Sequence, residues 1–379
     1  MIAVVDDQRR IVVMDEHGEI HRRLFDDALL WGSWAQHSDP DVHSWPAWSP
    51  DGTRIAAFRI ARDGHFSRVW VTDLQGEASA EVAAMGNRVP IYLQWSLEGT
   101  RLAVLSQDDQ QLVLQQADPD GAQEDLELLR GSPLFFTWLP GEQIAAFVGE
   151  GPPEQPTMTV LGSDHSRREL PGSPGNFCAP VRLARGVAYV AHRHDRIVIM
   201  TASSDGARIA ELEEVIGLVA VIASPDGKRL ARAMSPDGTG SPYRDLSVLD
   251  VDTAEVTPLT DMPCEAFLWL PDGAGLVVAS RNDRSKEVTW TRVALDGTTE
   301  ELIQLVPTRD TRVYLRFFEQ YSPSHPIVDP AGRWLLVCGT RPGSADSPPR
   351  VWRVPLDGGD PEDLGQGLFA TFPPPAPPE

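Results

Sequence analysis

Trp48-Ser49-Pro50-Asp51-Gly52-Thr53-Arg54-Ile55-Ala56-Ala57-Phe58 reads as the end of one strand, a tight turn and the start of a second strand. Pro50 presets the backbone for the turn, and Asp51-Gly52 supplies a side-chain acceptor followed by a residue that tolerates positive φ. Ile55 to Phe58 is an apolar run of strand length. The hairpin recurs. Trp95-Ser96-Leu97-Glu98-Gly99-Thr100-Arg101-Leu102 is a second copy, Trp138-Leu139-Pro140-Gly141 opens a third, and Val181-Arg182-Leu183-Ala184-Arg185-Gly186 is a degraded fourth. Ala223-Ser224-Pro225-Asp226-Gly227, Trp269-Leu270-Pro271-Asp272-Gly273 and Val328-Asp329-Pro330-Ala331-Gly332 complete the series.

The anchors at 48, 95, 138, 181, 223, 269 and 328 are separated by 47, 43, 43, 42, 46 and 59 residues. Each copy also has a second half. Val69-Trp70-Val71-Thr72-Asp73-Leu74-Gln75-Gly76 is a strand running into a turn, and 246–252, 288–297 and 351–358 repeat it. A fourth strand follows, as at Glu300-Glu301-Leu302-Ile303. Self-similarity at this period with four strands per unit is the signature of an all-β propeller built from four-stranded blades.

The W-S-P-D-G-x-x-I-A hairpin followed by a V-x-x-D-x-x-G strand resembles the TolB-type, WD-like propeller repeat. That repeat also builds the propeller domains of the prolyl oligopeptidase and dipeptidyl peptidase families. The resemblance covers nearly the whole chain and implies the fold. It implies little about activity, because propellers host unrelated functions.

The termini complement each other. Ile2-Ala3-Val4-Val5 and Arg10 to Met14 form a unit without its Trp-bearing first strand. Gly367 to Phe372 lies one repeat spacing after Val328. We expect one domain over 1–379, with 1–24 and 367–379 sharing a closing blade that removes two open sheet edges. The count is eight blades, or seven if the Val181 copy is not a unit.

The net charge of −22 argues against nucleic acid and anionic membrane as partners, since both demand a basic footprint. Cys178, Cys264 and Cys338 are three widely spaced residues without a CxxC pair, which reads as buried thiols of a reducing compartment. The four-residue apolar run before Asp6-Asp7 is too short for a signal peptide or a membrane span. The expectation is a cytoplasmic protein.

Two insertions depart from the repeat. The first, Phe25 to Trp45, contains His37, Asp39, Asp41 and His43 at every second position, which puts imidazole and carboxylate groups on one side of an extended segment. These are ligand types for zinc or another divalent ion. The plainer reading, which we favour, is a polar loop with an Asp-Pro turn and tryptophans packed on the blade rim.

The second insertion, Leu302 to Pro326, carries Arg309, Arg312, Tyr314, Arg316, Phe317, Phe318, Tyr321 and His325. Arginine interleaved with aromatics suits a protein interface or a carboxylate-bearing ligand. The competing reading makes Phe317 and Phe318 the start of the next blade.

No GxSxG elbow, Walker loop or GxGxxG motif in a strand–helix context is present, and the hydrolase domain of the peptidase families has no counterpart in the chain. The expected function is a non-catalytic scaffold that binds a protein, peptide or small ligand through its variable loops or channel, with no cofactor. The rival is a metal-dependent propeller enzyme, lactonase- or hydrolase-like, with a divalent ion in the channel.

Overall fold

A computed structural model describes residues 1–25, 41–61, 66–76, 78–122, 125–149, 157–174, 178–281, 286–344 and 347–374. The chain is all-β, built of successive antiparallel sheets, most of them four-stranded. It divides into two compact units. One comprises Met1–Leu129, Val306–Arg312 and Pro323–Glu379; the other comprises Arg130–Leu305 and Val313–Ser322.

In the first unit, Val42–Trp48, Arg54–Ile60, Ser67–Asp73 and Ser79–Gly86 form one sheet in chain order. Val89–Trp95, Leu102–Gln107, Leu112–Ala117 and Leu126–Gly131 form the next. A further sheet joins Trp334–Thr340, Arg350–Pro355 and Glu362–Gln366, with Val328 bridging Leu335 on its inner side. The remaining sheet is made from both ends of the chain. Ile20–Leu24, Ile11–Met14 and Ile2–Val5 are completed by Phe369–Thr371, with Ala3 opposite Thr371 and Val5 opposite Phe369.

The second unit repeats the pattern with Leu134–Leu139 through Arg167–Glu169, Leu218–Ala223 through Val256–Thr260, and Ala266–Trp269 through Thr299–Pro307, of which Val306 and Pro307 count with the first unit. Its irregular sheet is the one with the degraded hairpin. There Val181–Leu183 and Ser173–Pro174 pair with opposite ends of the single strand Gly186–Arg193. The first strand is split in two, so its sequence lacks a continuous apolar run.

The turn chemistry repeats atom for atom. Ser49 Oγ accepts the Arg54 N–H at 2.9 Å, and Asp51 Oδ1 accepts the Thr53 N–H at 3.0 Å. Ser224 Oγ accepts the Arg229 N–H at 2.9 Å, and Asp226 Oδ1 accepts the Lys228 N–H at 3.1 Å. The Ser224 hydroxyl and that N–H hold the Asp226 carboxyl below its usual range. Gly227 has φ +64°, and a Cβ there would stand 2.2 Å from Ala184 N, so glycine is required twice over.

The recurring tryptophan stitches one sheet to the one before it. Trp95 Nε1 donates to Ala47 O at 3.0 Å, Trp269 Nε1 to Ile222 O at 3.3 Å, and Trp48 Nε1 to Thr371 O at 3.4 Å. Phe369–Thr371 therefore stands to Trp48 as a preceding first strand does elsewhere. An arginine from the preceding sheet closes over the ring. Arg54 lies 4.9 Å from the Trp95 centroid and donates to Gly99 O, while Arg229 lies 5.2 Å from Trp269 and donates to Gly273 O. Such a contact covers the apolar ring and caps a turn carbonyl with the same side chain.

Candidate functional site

The longest departure from the repeat is helical. Thr308 opens it as an N-cap, its Oγ1 accepting the Thr311 N–H at 3.0 Å. Helix α1 spans Arg309–Arg316, and after Phe317 the short helix α2 spans Phe318–Tyr321. Phe317 and Phe318 thus do not start a blade strand, the competing reading of the sequence; Phe318 lies in a helix.

In the first unit, the front of the insertion is pinned by side chains. Arg9 forks onto Asp310 at 3.1 and 3.0 Å. Thr308 Oγ1 donates to Leu368 O at 2.6 Å, and Thr311 Oγ1 donates to Cys338 O at 3.2 Å. Asp310 in the first turn also complements the helix dipole. Beyond the helices, His325 is fully buried among Trp45, Tyr92 and Phe369, with its Nδ1 2.6 Å from Ser324 Oγ.

In the second unit, α2 sits on the first strands of three sheets. Gln320 pairs with the backbone of Phe136 as a strand neighbour would. Its Oε1 accepts the Phe136 N–H at 3.1 Å, and its Nε2 donates to the Phe136 carbonyl at 2.8 Å. Phe318 meets Phe267 edge-on at 4.8 Å. Half-buried Glu319 turns its Oε1 onto the Val221 N–H at 2.8 Å, with Cys178 Sγ 3.6 Å away. Burial pushes the Glu319 carboxyl up to about 8, against the downward pull of the Val221 N–H. Burial likewise raises the Cys178 thiol and the Tyr243 phenol, and the nearby Glu319 adds to both. The polar side chains of α2 thus satisfy edge groups of strands that would otherwise stand open.

The expected recognition residues divide by burial. Tyr314, Tyr321 and His325 are 1%, 3% and 0% exposed. They are packing residues, the two tyrosines meeting at 6.3 Å, and they cannot offer contact area to a partner. Arg309, Arg312 and Arg316 are exposed. Among the described residues none of the three has a carboxylate partner; Arg316 lies 5.9 Å over the Phe317 ring. The contrast is local, because Arg9, Arg59, Arg232 and Arg353 all engage carboxylates.

Of the proposed metal ligands, His37 and Asp39 lie outside the described residues. Asp41 Oδ2 accepts from Arg59 Nε at 2.7 Å. His43 is 3% exposed and stacked on Phe25 at 5.3 Å, and its backbone N–H donates to Arg9 O at 2.8 Å. Burial first, and the Arg59 charge second, push its pKa down to about 4, so the ring is neutral at pH 7. Among the described residues no three His, Cys, Asp or Glu side chains gather to hold a metal.

The Glu319–Cys178–Tyr243 cluster escaped sequence reading. Its members come from three distant stretches of chain, and no local spacing marks them.

No family model matches the chain, and no curated protein matches it. Solved structures do. TolB from Acinetobacter baumannii is 17% identical over 65% of this chain and 62% of its own, with a TM-score of 0.45. A prolyl endopeptidase is 13% identical over 88% of this chain and 50% of its own, with a TM-score of 0.54. The β-propeller domain of the Trilobed protease from Pyrococcus furiosus, a propeller of open velcro topology, is 13% identical. It matches over 87% of this chain and 100% of its own, with a TM-score of 0.53. The chain thus spans about half the length of the prolyl endopeptidase and 62% of TolB. The fold is a β-propeller, like the propeller of the Trilobed protease, and the likeness carries no activity with it.

Proposed function

We propose that the chain is a non-catalytic β-propeller that binds a protein or peptide partner, and that helix α1 is its recognition element. One observation carries the reading. The insertion replaces a short connection with a helix fastened by side chains, and its exposed face holds three arginines that have no carboxylate partner among the described residues, in a chain of net charge −22. Ordinary packing explains the buried aromatics and leaves the arginines unused. Arginine on a rigid support is suited to forked hydrogen bonds with carboxylates and to anchoring an interface. The three buried free thiols fit the reducing, cytoplasmic setting we propose for it.

The experiment compares wild-type protein with the Arg312→Glu/Arg316→Glu double variant as bait in native lysate. A partner retained by the first and lost by the second, at equal thermal stability, supports the reading. Equal retention moves the recognition surface off α1. Metal analysis of protein purified without chelators tests the enzymatic rival, and a stoichiometric divalent ion would favour that rival.

A further inference from the structure

We propose that α1 docks an acidic α-helix of its partner, one whose contact face carries carboxylates at i, i+4 and i+7 beside a small apolar residue. The inference rests on the reading of α1 as the recognition element and specifies what that element takes.

The pattern on the helix is the first argument. Arg309, Arg312, Val313 and Arg316 occupy positions i, i+3, i+4 and i+7, which fall on one face, and Phe317 follows just beyond the helix. The arginines are exposed, while Val313 and Phe317 are half-buried. The other side is closed, with Asp310, Thr311, Tyr314, Leu315 and Phe318 all buried. The open face is therefore a row of guanidinium groups with half-buried Val313 along one side of it, between the row and the closed side. Such a row forms ridges of the kind that a second helix fills.

The spacing is the second argument. Along the helix axis the arginines stand about 4.5 Å and then about 6 Å apart. An antiparallel helix with carboxylates at i, i+4 and i+7 reproduces those intervals in order, so each guanidinium meets one carboxylate. An extended chain presents same-side residues about every 6.7 Å and drifts out of step by the third contact.

Charge is the third argument. A nucleic acid duplex or an anionic lipid surface would bring extended negative charge against a protein of net −22. A single helix meets the row alone. The fastening of α1 by Arg9, Thr308 and Thr311 means that docking orders little new chain on this side.

The test titrates the full chain with fluorescein-labelled peptides. The first is a side-chain-stapled helix with Glu at i, i+4 and i+7 and Leu at i+3. The second replaces each Glu with Gln. The third keeps the composition of the first but scatters the Glu residues around the helix. The fourth is an unstapled peptide with phosphoserine in place of each Glu. The patterned helix is expected to bind about tenfold or more tightly than the second and third, and Arg312→Glu/Arg316→Glu is expected to abolish that preference. Equal affinity for patterned and scattered helices reduces the effect to charge attraction and overturns the proposal. Tighter binding of the phosphoserine peptide assigns the surface to phosphate and overturns it as well. An arginine-dependent partner in lysate, combined with indifference to helix pattern, leaves α1 as the recognition element and removes only the helical partner.

Discussion

Glu319→Gln is expected to remove a loss of stability that the wild-type protein suffers as pH rises. In the fold, the Glu319 carboxyl holds its proton up to about 8, against 4.5 for an unburdened glutamate. The folded state therefore binds more protons than the unfolded state between those values. Stability is full below pH 4.5, falls as pH rises and levels off above about 8. The gap of 3.5 pH units sets a ceiling of about 5 kcal/mol at about 1.4 kcal/mol per unit. The cleanest window is pH 6.5 to 8.5, above the range where His43 titrates and below that of free thiols. About 2 kcal/mol of the ceiling falls there, and solvent reaching the half-buried side chain brings the expected loss to about 1–2 kcal/mol. Glutamine keeps an oxygen to accept the Val221 N–H, so the variant should hold its shape and show little slope. The assay is urea unfolding followed by tryptophan fluorescence at four pH values across the window. Parallel slopes for the two proteins would refute the argument that Glu319 is neutral in the fold.

Three further outcomes are expected. His43, neutral and buried with a pKa near 4 against the usual 6.5, should make the protein lose about 3 kcal/mol as pH falls between those values. His43→Phe keeps the stack on Phe25 and should flatten that loss in an acid titration of unfolding. Trp95→Ala removes a core ring, a hydrogen bond to Ala47 and the seat of Arg54, and should cost about 3–5 kcal/mol by chemical denaturation. Deleting residues 368–379 takes away the strand opposite Ile2–Val5 and the acceptor for Trp48, so aggregation or a large drop in Tm should follow. A deletion protein that melts like the full chain would dispose of the terminal pairing as a stabilising feature.

What the sequence made legible was whatever recurs. The Trp and Pro-Asp-Gly positions announce themselves because the same contact is made sheet after sheet: ring to preceding carbonyl, turn to serine and aspartate. Even the pairing of chain ends follows from a missing first strand at one end and a surplus one at the other. The helical insertion occurs once, so periodicity is silent about it. Local signs were there nonetheless, with Thr308 as a cap and Tyr314, Phe318 and Tyr321 at i, i+4 and i+7. They were obscured by arginines that invite a functional reading of the whole stretch. The proton-holding environment of Glu319 has no sequence signal at all. It depends on a backbone N–H and a thiol that are remote in the chain, and only the tertiary arrangement brings them together.

The sheet built from both chain ends has a temporal consequence. Ala3 and Thr371 pair across 368 positions, the difference of their numbers. At about 5–20 residues per second of synthesis, Ile2–Val5 leaves the ribosome roughly 20–70 seconds before its partner exists. Throughout that interval a run of Ile, Ala and Val presents an open backbone edge, the kind of segment that joins neighbouring chains. On a polysome, where nascent copies trail one another along one message, the late-emerging Phe369–Thr371 is the strand that withdraws Ile2–Val5 from its neighbours. Yield of native protein should therefore depend on holdase chaperones acting at Ile2–Val5 during synthesis, and on the rate at which the stretch of message up to Phe369–Thr371 is read.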